Sequence, residues 1–452
     1  MKDSKLQFKF LLLIITFLIS TNISYSQWII AGDLTGIGGR PTVSVVDQNT
    51  AFVTGGSGSN FTYKTTNGGT NWTQLNTGSF NLFWCIWAKD ASTVFAGATG
   101  NGNPDTIKLY KTTNGGNNWT VVESNYAEVP TFTGIKFSNS DPSFGIAVGG
   151  APDLDFYIYK TRDGGDTWTG TQITGFSGYL PALNSLNVID SLFYAFGIGF
   201  TSPSIIITTD GGVTWNLRDL NNPSPGLSTG GIAFKEDKLT GIAGAALPII
   251  SRTTNGGLNW VNIDVGNNVT SANCRMRWIE GTNTCYINAT DANNGGVLKS
   301  TDGGLTWSQM STSDLGIYNF DTKRIGSNVY GYANASAGGV FGGTQVLKVT
   351  DVITGLNQIS ELVPDGYSLS QNYPNPFNPI TVIRYSLIEN RFTTLKVYDI
   401  LGNEVTTLVN EKQNAGSYEV DFDGSNFSSG VYFYRLEVDG NIIDIKRMML
   451  LK

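Results

Sequence analysis

One eight-residue pattern recurs six times, and it constrains the fold more than any other feature of the chain. TTNGGTNW ends at Trp72, TTNGGNNW at Trp119, TRDGGDTW at Trp168, TTDGGVTW at Trp215, TTNGGLNW at Trp260 and STDGGLTW at Trp307. Successive tryptophans are 47, 49, 47, 45 and 47 residues apart. Self-similarity at a fixed period marks a repeated supersecondary unit. A catalytic centre is not built six times at regular spacing.

The chemistry of each copy fits a hairpin turn. Asn67, Asn114, Asp163, Asp210, Asn255 and Asp302 can accept backbone N–H bonds from the residues that follow, and the glycine pair supplies positive φ. The tryptophan is then an apolar peg. Strand-like segments such as FTYKT, KLYKT, YIYKT and IIITT precede the turns, rich in β-branched and aromatic residues. Three of the six copies carry neutral Asn, so the set reads as structural rather than metal-binding.

A period near 47 with several short strands per unit predicts propeller blades, each a four-stranded sheet. In the third unit FTGIKF, FGIAVGG, FYIYKT and TWTGTQI read as strands A to D, with the turn between C and D. After the sixth copy, YNFDTKRI, NVYGYAN and QVLKVTD repeat strands A to C. Asp351 stands 49 residues after Asp302, but the glycines and Trp are gone. The missing D strand is expected from Gln27-Trp28-Ile29-Ile30, because Trp28 lies 44 residues before Trp72. The expectation is an all-β chain: a seven-bladed β-propeller over residues 27–353, its last blade closed by the N-terminal strand, which removes an exposed sheet edge. Low charge (14%) with 55 glycines suits such a turn-rich β protein.

The six turns resemble the Asp-box (BNR) repeats of sialidases, some glycoside hydrolases, sortilin-type receptors and photosystem II assembly-factor-like propellers. The resemblance implies the fold and not an activity, since the same turn serves enzymes and non-enzymes.

At the N-terminus, MKDSKLQFK supplies three lysines, Phe10–Ile19 is a short apolar core, and SYS precedes Gln27. This is the layout of a signal peptide over residues 1–26, the alternative being a retained anchor. Ten apolar residues fall short of the ~20 that span a bilayer, and no later segment is apolar enough to cross. Export permits disulfides, yet the chain has only Cys85, Cys274 and Cys285. In the hairpin CRMRWIEGTNTCYI, Cys285 is expected opposite Trp278, which leaves Cys274 beyond disulfide reach. All three are expected as buried thiols.

After a linker expected over 354–367, a second module occupies 368–452. Its strands alternate apolar and polar residues (ITVIRYSL, TTLKVYDI, SYEVDF, GVYFYRLEV), which predicts a small Ig-like β-sandwich. It resembles the C-terminal sorting domain of type IX (Por) secretion substrates. The matching residues are YPNPFNP (Tyr373, Pro374, Asn375, Pro376, Phe377 and on to Pro379), VYDILGNEV with Gly402, SSGVYFYRLEVDG with Gly430, and KRMMLLK from Lys446. The resemblance implies a Gram-negative export machinery as partner and an extracellular or outer-membrane-surface location. The alternative is an Ig-like accessory domain that stays attached and merely binds.

Function is the least written part. The formal charge of −7 argues against a nucleic-acid binder, which needs a basic stripe. With no histidine, His-dependent triads and most zinc sites are excluded. No cofactor or metal is implied; Asp153, Asp155 and Asp291 lack the spacing of a calcium loop. Binding residues are expected on the B–C and D–A loops, opposite the repeated turns, with Phe80, Phe83, Trp84, Tyr126, Phe176, Tyr179 and Tyr318 as aromatic candidates. The chain reads as a binding or scaffold module for a glycan or protein, with no catalytic residue assigned. The alternative is a carbohydrate-active hydrolase, sialidase-like or endoglucanase-like, using carboxylates such as Asp105, Asp153, Asp155 or Asp291 on that loop face. Arg40 faintly resembles the N-terminal arginine of sialidases but lacks its flanking residues.

Overall fold

The computed structural model describes residues 27–452 except 36, 38–40, 56–60, 76–79, 101–106, 124–131, 151–155, 177, 200–202, 224–228, 246–247, 267–274, 290–295, 311–314, 326–327, 338–343, 353–355, 361–363, 414 and 425–426. The leader expected over 1–26 lies outside them. All regular elements among the described residues are strands, arranged in nine antiparallel sheets. No helix among them is long and apolar enough to cross a membrane.

Seven sheets follow one another along the chain as blades. Blade 3 is typical: Phe132–Phe137, Gly145–Gly149, Phe156–Thr161 and Thr169–Ile173 pair in sequence order as strands A to D. Burial falls from A to D. In blade 1, Thr42–Val45 is buried throughout, whereas Thr73–Leu75 buries only Leu75. The A strands touch their neighbours around the ring and therefore line its centre; that of blade 1 contacts those of blades 2 and 7.

The seventh blade is assembled from both ends of the propeller. Leu315–Ile325, Asn328–Ala337 and Gln345–Val352 supply strands A to C, and Ile29–Asp33 pairs antiparallel with the last as strand D. Trp28 is 1% exposed and meets Phe320 edge-to-face at 6.3 Å. The expected closure is present.

The repeated turns share one hydrogen-bond scheme. The hydroxyl two residues before the Asn or Asp accepts the N–H of the second glycine, as from Gly165 to Thr161 at 2.9 Å. The Asn or Asp side chain accepts the N–H four residues on. That fourth residue co-varies with the first. Asp163, Asp210 and Asp302 precede Thr167, Thr214 and Thr306, whose hydroxyls donate to the second carboxylate oxygen, while the three Asn copies are followed by Asn71, Asn118 and Asn259. An amide has no second acceptor oxygen to offer a threonine.

The second glycine has a further reason. At Gly165 (φ +87°) a Cβ would stand 2.3 Å from Phe95 of the preceding blade, and at Gly116 (φ +94°) 2.4 Å from Leu75. Positive φ and the interblade seam both demand glycine there. Trp168 packs edge-on against Phe95 and Phe137, and the indole N–H groups of Trp260 and Trp307 donate to carbonyls of their own turns. Trp72 instead donates to Ala31 of the closing strand. Trp119 lies 6.4 Å from Phe83, and Trp215 meets Tyr194 at 5.5 Å.

Two repeated features escaped the sequence reading. Asp47, Asp90, Asp141, Asp190 and Asp237 cap the A–B turns by accepting backbone N–H groups two residues on. The first glycine of each repeated turn donates to the A–B turn of its blade, so both turns sit on one face. The second feature is a cation on strand C that reaches the next blade. Lys160 Nζ donates to Gly211 O at 2.6 Å, Arg252 Nε to Gly303 O at 2.6 Å, and Lys111 pairs with Asp166 at 2.5 Å. Lys348 Nζ donates to Gly68 O at 2.7 Å, which joins blade 7 to blade 1.

Residues 356–452 form the sandwich. One sheet is Ser368–Leu369, Ile380–Leu387, Gly416–Asp423 and Leu356–Ser360; the other holds Arg391–Tyr398, Glu404–Gln413, Gly430–Val438 and Asn441–Leu450. Leu356–Ser360 lies in the stretch expected as linker, but it pairs with Gly416–Asp423 as a strand. The YPNPFNP segment clamps the final strand. Phe377 is 2% exposed, its N–H donates to Met449 O at 2.9 Å, and Asn375 Oδ1 accepts the N–H of Met449 at 3.0 Å. Tyr373-Pro374 and Asn375-Pro376 are cis, and Tyr373 projects into solvent. Gly402 takes positive φ in the turn capped by Asp399, Gly430 opens a strand, and Lys446 pairs with Asp444 at 2.8 Å.

The hairpin pairs Cys285 with Trp278 as expected. Cys85 and Cys285 are buried free thiols, and burial pushes Cys85 up to about 12; Cys274 lies outside the described residues.

Candidate functional site

Strand A is innermost, so a charged residue interrupting its apolar run is directed into the channel. Three A strands carry charged residues: Lys136 in FTGIKF, Arg277 in MRW, and Asp321, Lys323 and Arg324 in the blade 7 strand. Arg277 Nε donates to Asp321 Oδ1 at 2.8 Å, and Asp321 Oδ2 accepts the Val45 N–H at 2.9 Å. One carboxylate thereby ties blades 6, 7 and 1. Lys136 forms no ion pair among the described residues. Burial pushes its ammonium down to about 8; Arg277 and Lys323 act in the same direction, and Asp321 opposes them.

Lys136 and Arg277 belong to the walls of two cavities. The smaller, about 60 Å³, lies along the channel beside Ser44, Trp87, Asn319 and Asp321. The larger, about 240 Å³, opens at the A–B end. Its floor comes from strand residues, with Asn187 beside Lys136 and Arg277. Its rim comes from A–B turns, with Ser140, Glu236 and Glu280, and Trp278 and Phe234 add apolar wall. Glu236 keeps part of its surface in solvent, yet burial of the rest pushes its carboxyl up, and Glu280 pushes it the same way. Lys238 is paired with Asp190 across blades 5 and 4, while Lys235 and the Gly281 N–H only partly offset the upward push on Glu236.

This cavity is on the face of the repeated turns, whereas the sequence pointed to the opposite face. Much of that opposite face, including Arg40, Asp105, Tyr126, Asp153, Asp155 and Asp291, lies outside the described residues. Of its aromatics, Phe83 is buried, Phe176 stacks on Phe156 at 6.2 Å, and Trp84, Tyr179 and Tyr318 are half-buried. The arginines do not converge. Arg252 and Arg275 donate to the carbonyls of Gly303 and Gly230, Arg162 lies over Phe144, and Arg324 pairs with Asp421 of the sandwich at 2.5 Å.

Residues 371–450 match the family described as the secretion system C-terminal sorting domain. Among curated proteins, none matches the chain in sequence. The propeller resembles the solved structure "YCF48 bound to D1 peptide" with 16% identity and a TM-score of 0.51, over 71% of this chain and 96% of that one. It also aligns with "YCF48 from Cyanidioschyzon merolae" at 13% identity and a TM-score of 0.49, over 71% of this chain and 98% of that one. The chain is thus a propeller carrying a sorting tail, and the tail implies export to the cell surface or the extracellular space.

Proposed function

We propose that the chain is an exported binding module whose working site is the cavity at the A–B mouth of the propeller channel. The observation that carries this reading is a half-buried cation with no ion pair among the described residues, Lys136, in the wall of a cavity that also holds polar and aromatic side chains. A volume of about 240 Å³ falls below the roughly 300–1,000 Å³ of drug-sized sites, so it suits a small ligand or one protruding group of a larger partner. A precedent for partner binding on this fold is the propeller solved with a peptide. The six repeated turns take a structural role in this reading, supported by side chains occupied with backbone donors of their own turns. The type IX machinery is the proposed partner of the tail.

Hydrolysis remains the second reading because Glu236 and Glu280 share the rim, and the raised carboxyl of Glu236 is the kind of group that serves as a general acid. Glycan and peptide arrays incubated with the full chain test both. Retention without product release, reduced by Ser140→Trp at the rim, is expected. Product release that vanishes in Glu236→Gln would replace the binding module with a hydrolase.

A further inference from the structure

The mouth cavity is polarised, and the polarity follows from topology. Strand residues supply its floor, where Lys136 forms no ion pair among the described residues and Arg277 pairs with Asp321. Turn residues supply its rim, where Glu236 and Glu280 form no ion pair among the described residues. Burial first, then Arg277 and Lys323, drive Lys136 toward its neutral form, and burial and the nearby Glu280 push the Glu236 carboxyl the same way. Asp321 offsets only part of the push on Lys136, and Lys235 and backbone N–H groups offset only part of that on Glu236. Lys136 is half-buried, where a charge without an ion-pair partner is costly, while the rim carboxylates are exposed and set the sign of the mouth. A ligand that brings the opposite charge to each end is attracted at both, whereas an ion of one sign is attracted at one end and repelled at the other. Trp278, Phe234 and Met276 line the wall between and give a short apolar stem something to pack on.

We propose that this cavity takes a small zwitterion, with its anionic group on Lys136 and Arg277 and its cationic group on Glu236 and Glu280. The inference rests on the reading of the cavity as the working site and adds the ligand's chemical class. An amino acid, or a charged side chain together with a chain end of a partner, carries that chemistry.

Three probes separate the two ends: 6-aminohexanoate, which carries both charges, hexanoate, which carries the negative one, and hexylammonium, which carries the positive one. Calorimetric or ligand-detected NMR titration into the full chain is expected to show 6-aminohexanoate binding at least about tenfold tighter than either half-ligand, the scale of one charge-assisted hydrogen bond. Lys136→Met is expected to reduce 6-aminohexanoate to the affinity of hexylammonium, and Lys136→Arg to retain it. The double variant Glu236→Gln, Glu280→Gln is expected to reduce it to the affinity of hexanoate. Should Lys136→Met fail to fold, Ser140→Trp blocks the rim without removing a charge and is expected to abolish 6-aminohexanoate binding. Equal affinity for all three probes, unchanged binding in Lys136→Met, or no saturable binding of 6-aminohexanoate would each overturn the proposal. If 6-aminohexanoate fails while an array ligand is retained and lost in Ser140→Trp, the zwitterion is wrong and the binding module stands. If neither is retained, both fall.

Discussion

Blades 1 to 6 and blade 7 solve the same packing problem with different means. Each of the first six carries a complete turn motif whose Thr or Ser hydroxyl bond closes within the turn itself. Blade 7 has lost the glycines and the tryptophan, and its stabilising contacts come from far along the chain. Asp351 stands in for the turn acid, but it accepts from Lys299 at 2.6 Å and from the Tyr286 hydroxyl at 2.5 Å, both in blade 6. Trp28 fills the core from the other end of the propeller. Local motifs suffice where a blade follows its neighbour in sequence, whereas the blade that joins the two ends depends on long-range pairs.

The largest effect is expected where that dependence concentrates. Trp28→Ala should lower the unfolding free energy in urea by about 3–5 kcal/mol, the range for emptying a buried aromatic site. No single change in a complete turn should match it. Asp351→Ala leaves the partly buried Lys299 unpaired and is expected to cost about 3 kcal/mol by the same measurement. Lys348→Met, which removes the bond to the Gly68 carbonyl across the closing seam, should cost about 1 kcal/mol.

A finer test separates the two kinds of turn. Asp302→Asn deprives the Thr306 hydroxyl of its carboxylate partner and should cost about 1 kcal/mol. Adding Thr306→Asn recreates the pairing of blades 1, 2 and 5 and should recover most of that loss. Equal costs for the single and double variants would show that the co-variation is incidental.

The smallest expected effect is a dependence on acid. Thr214 donors hold the Asp210 carboxyl down to about 2, and Thr167 donors hold Asp163 below the usual carboxylate range. At Asp302 burial pushes upward, but the Thr306 donors outweigh it. A folded value below the unfolded one means the unfolded chain binds more protons in between. This stability is therefore complete above about pH 4 and is lost as pH falls through the folded values. The triple variant Asp163→Asn, Asp210→Asn, Asp302→Asn should show a shallower fall in unfolding midpoint between about pH 4 and about pH 2. An unchanged slope would remove these carboxylates from the acid response.

Much of this was legible because it repeats or lies close in sequence. The strands of blade 3 match their predicted segments, and Trp28 was in phase with the other tryptophans. The Asp caps of the A–B turns were equally legible, in VDQNT, KDAST, SDPS, IDSLF and EDKLT, but lack the glycine pair that draws attention to the other turns. Leu356–Ser360 reads as linker because its pairing partner lies some sixty residues away.

The sequence by itself determined the blade count, the closing strand and the sorting tail, since each is a periodic or contiguous pattern whose bonds are made by near neighbours or by strands in fixed order. Only the tertiary structure decided that Lys136, Arg277 and Asp321, from blades 3, 6 and 7, face one channel, and that Glu236 and Glu280 stand at its rim. Lys136 stands 100 to 185 positions before the other four, and nothing in their flanks distinguishes them from other strand or turn charges. Their charge states depend on distance across the ring and on exclusion of water, and both exist only once the ring has closed.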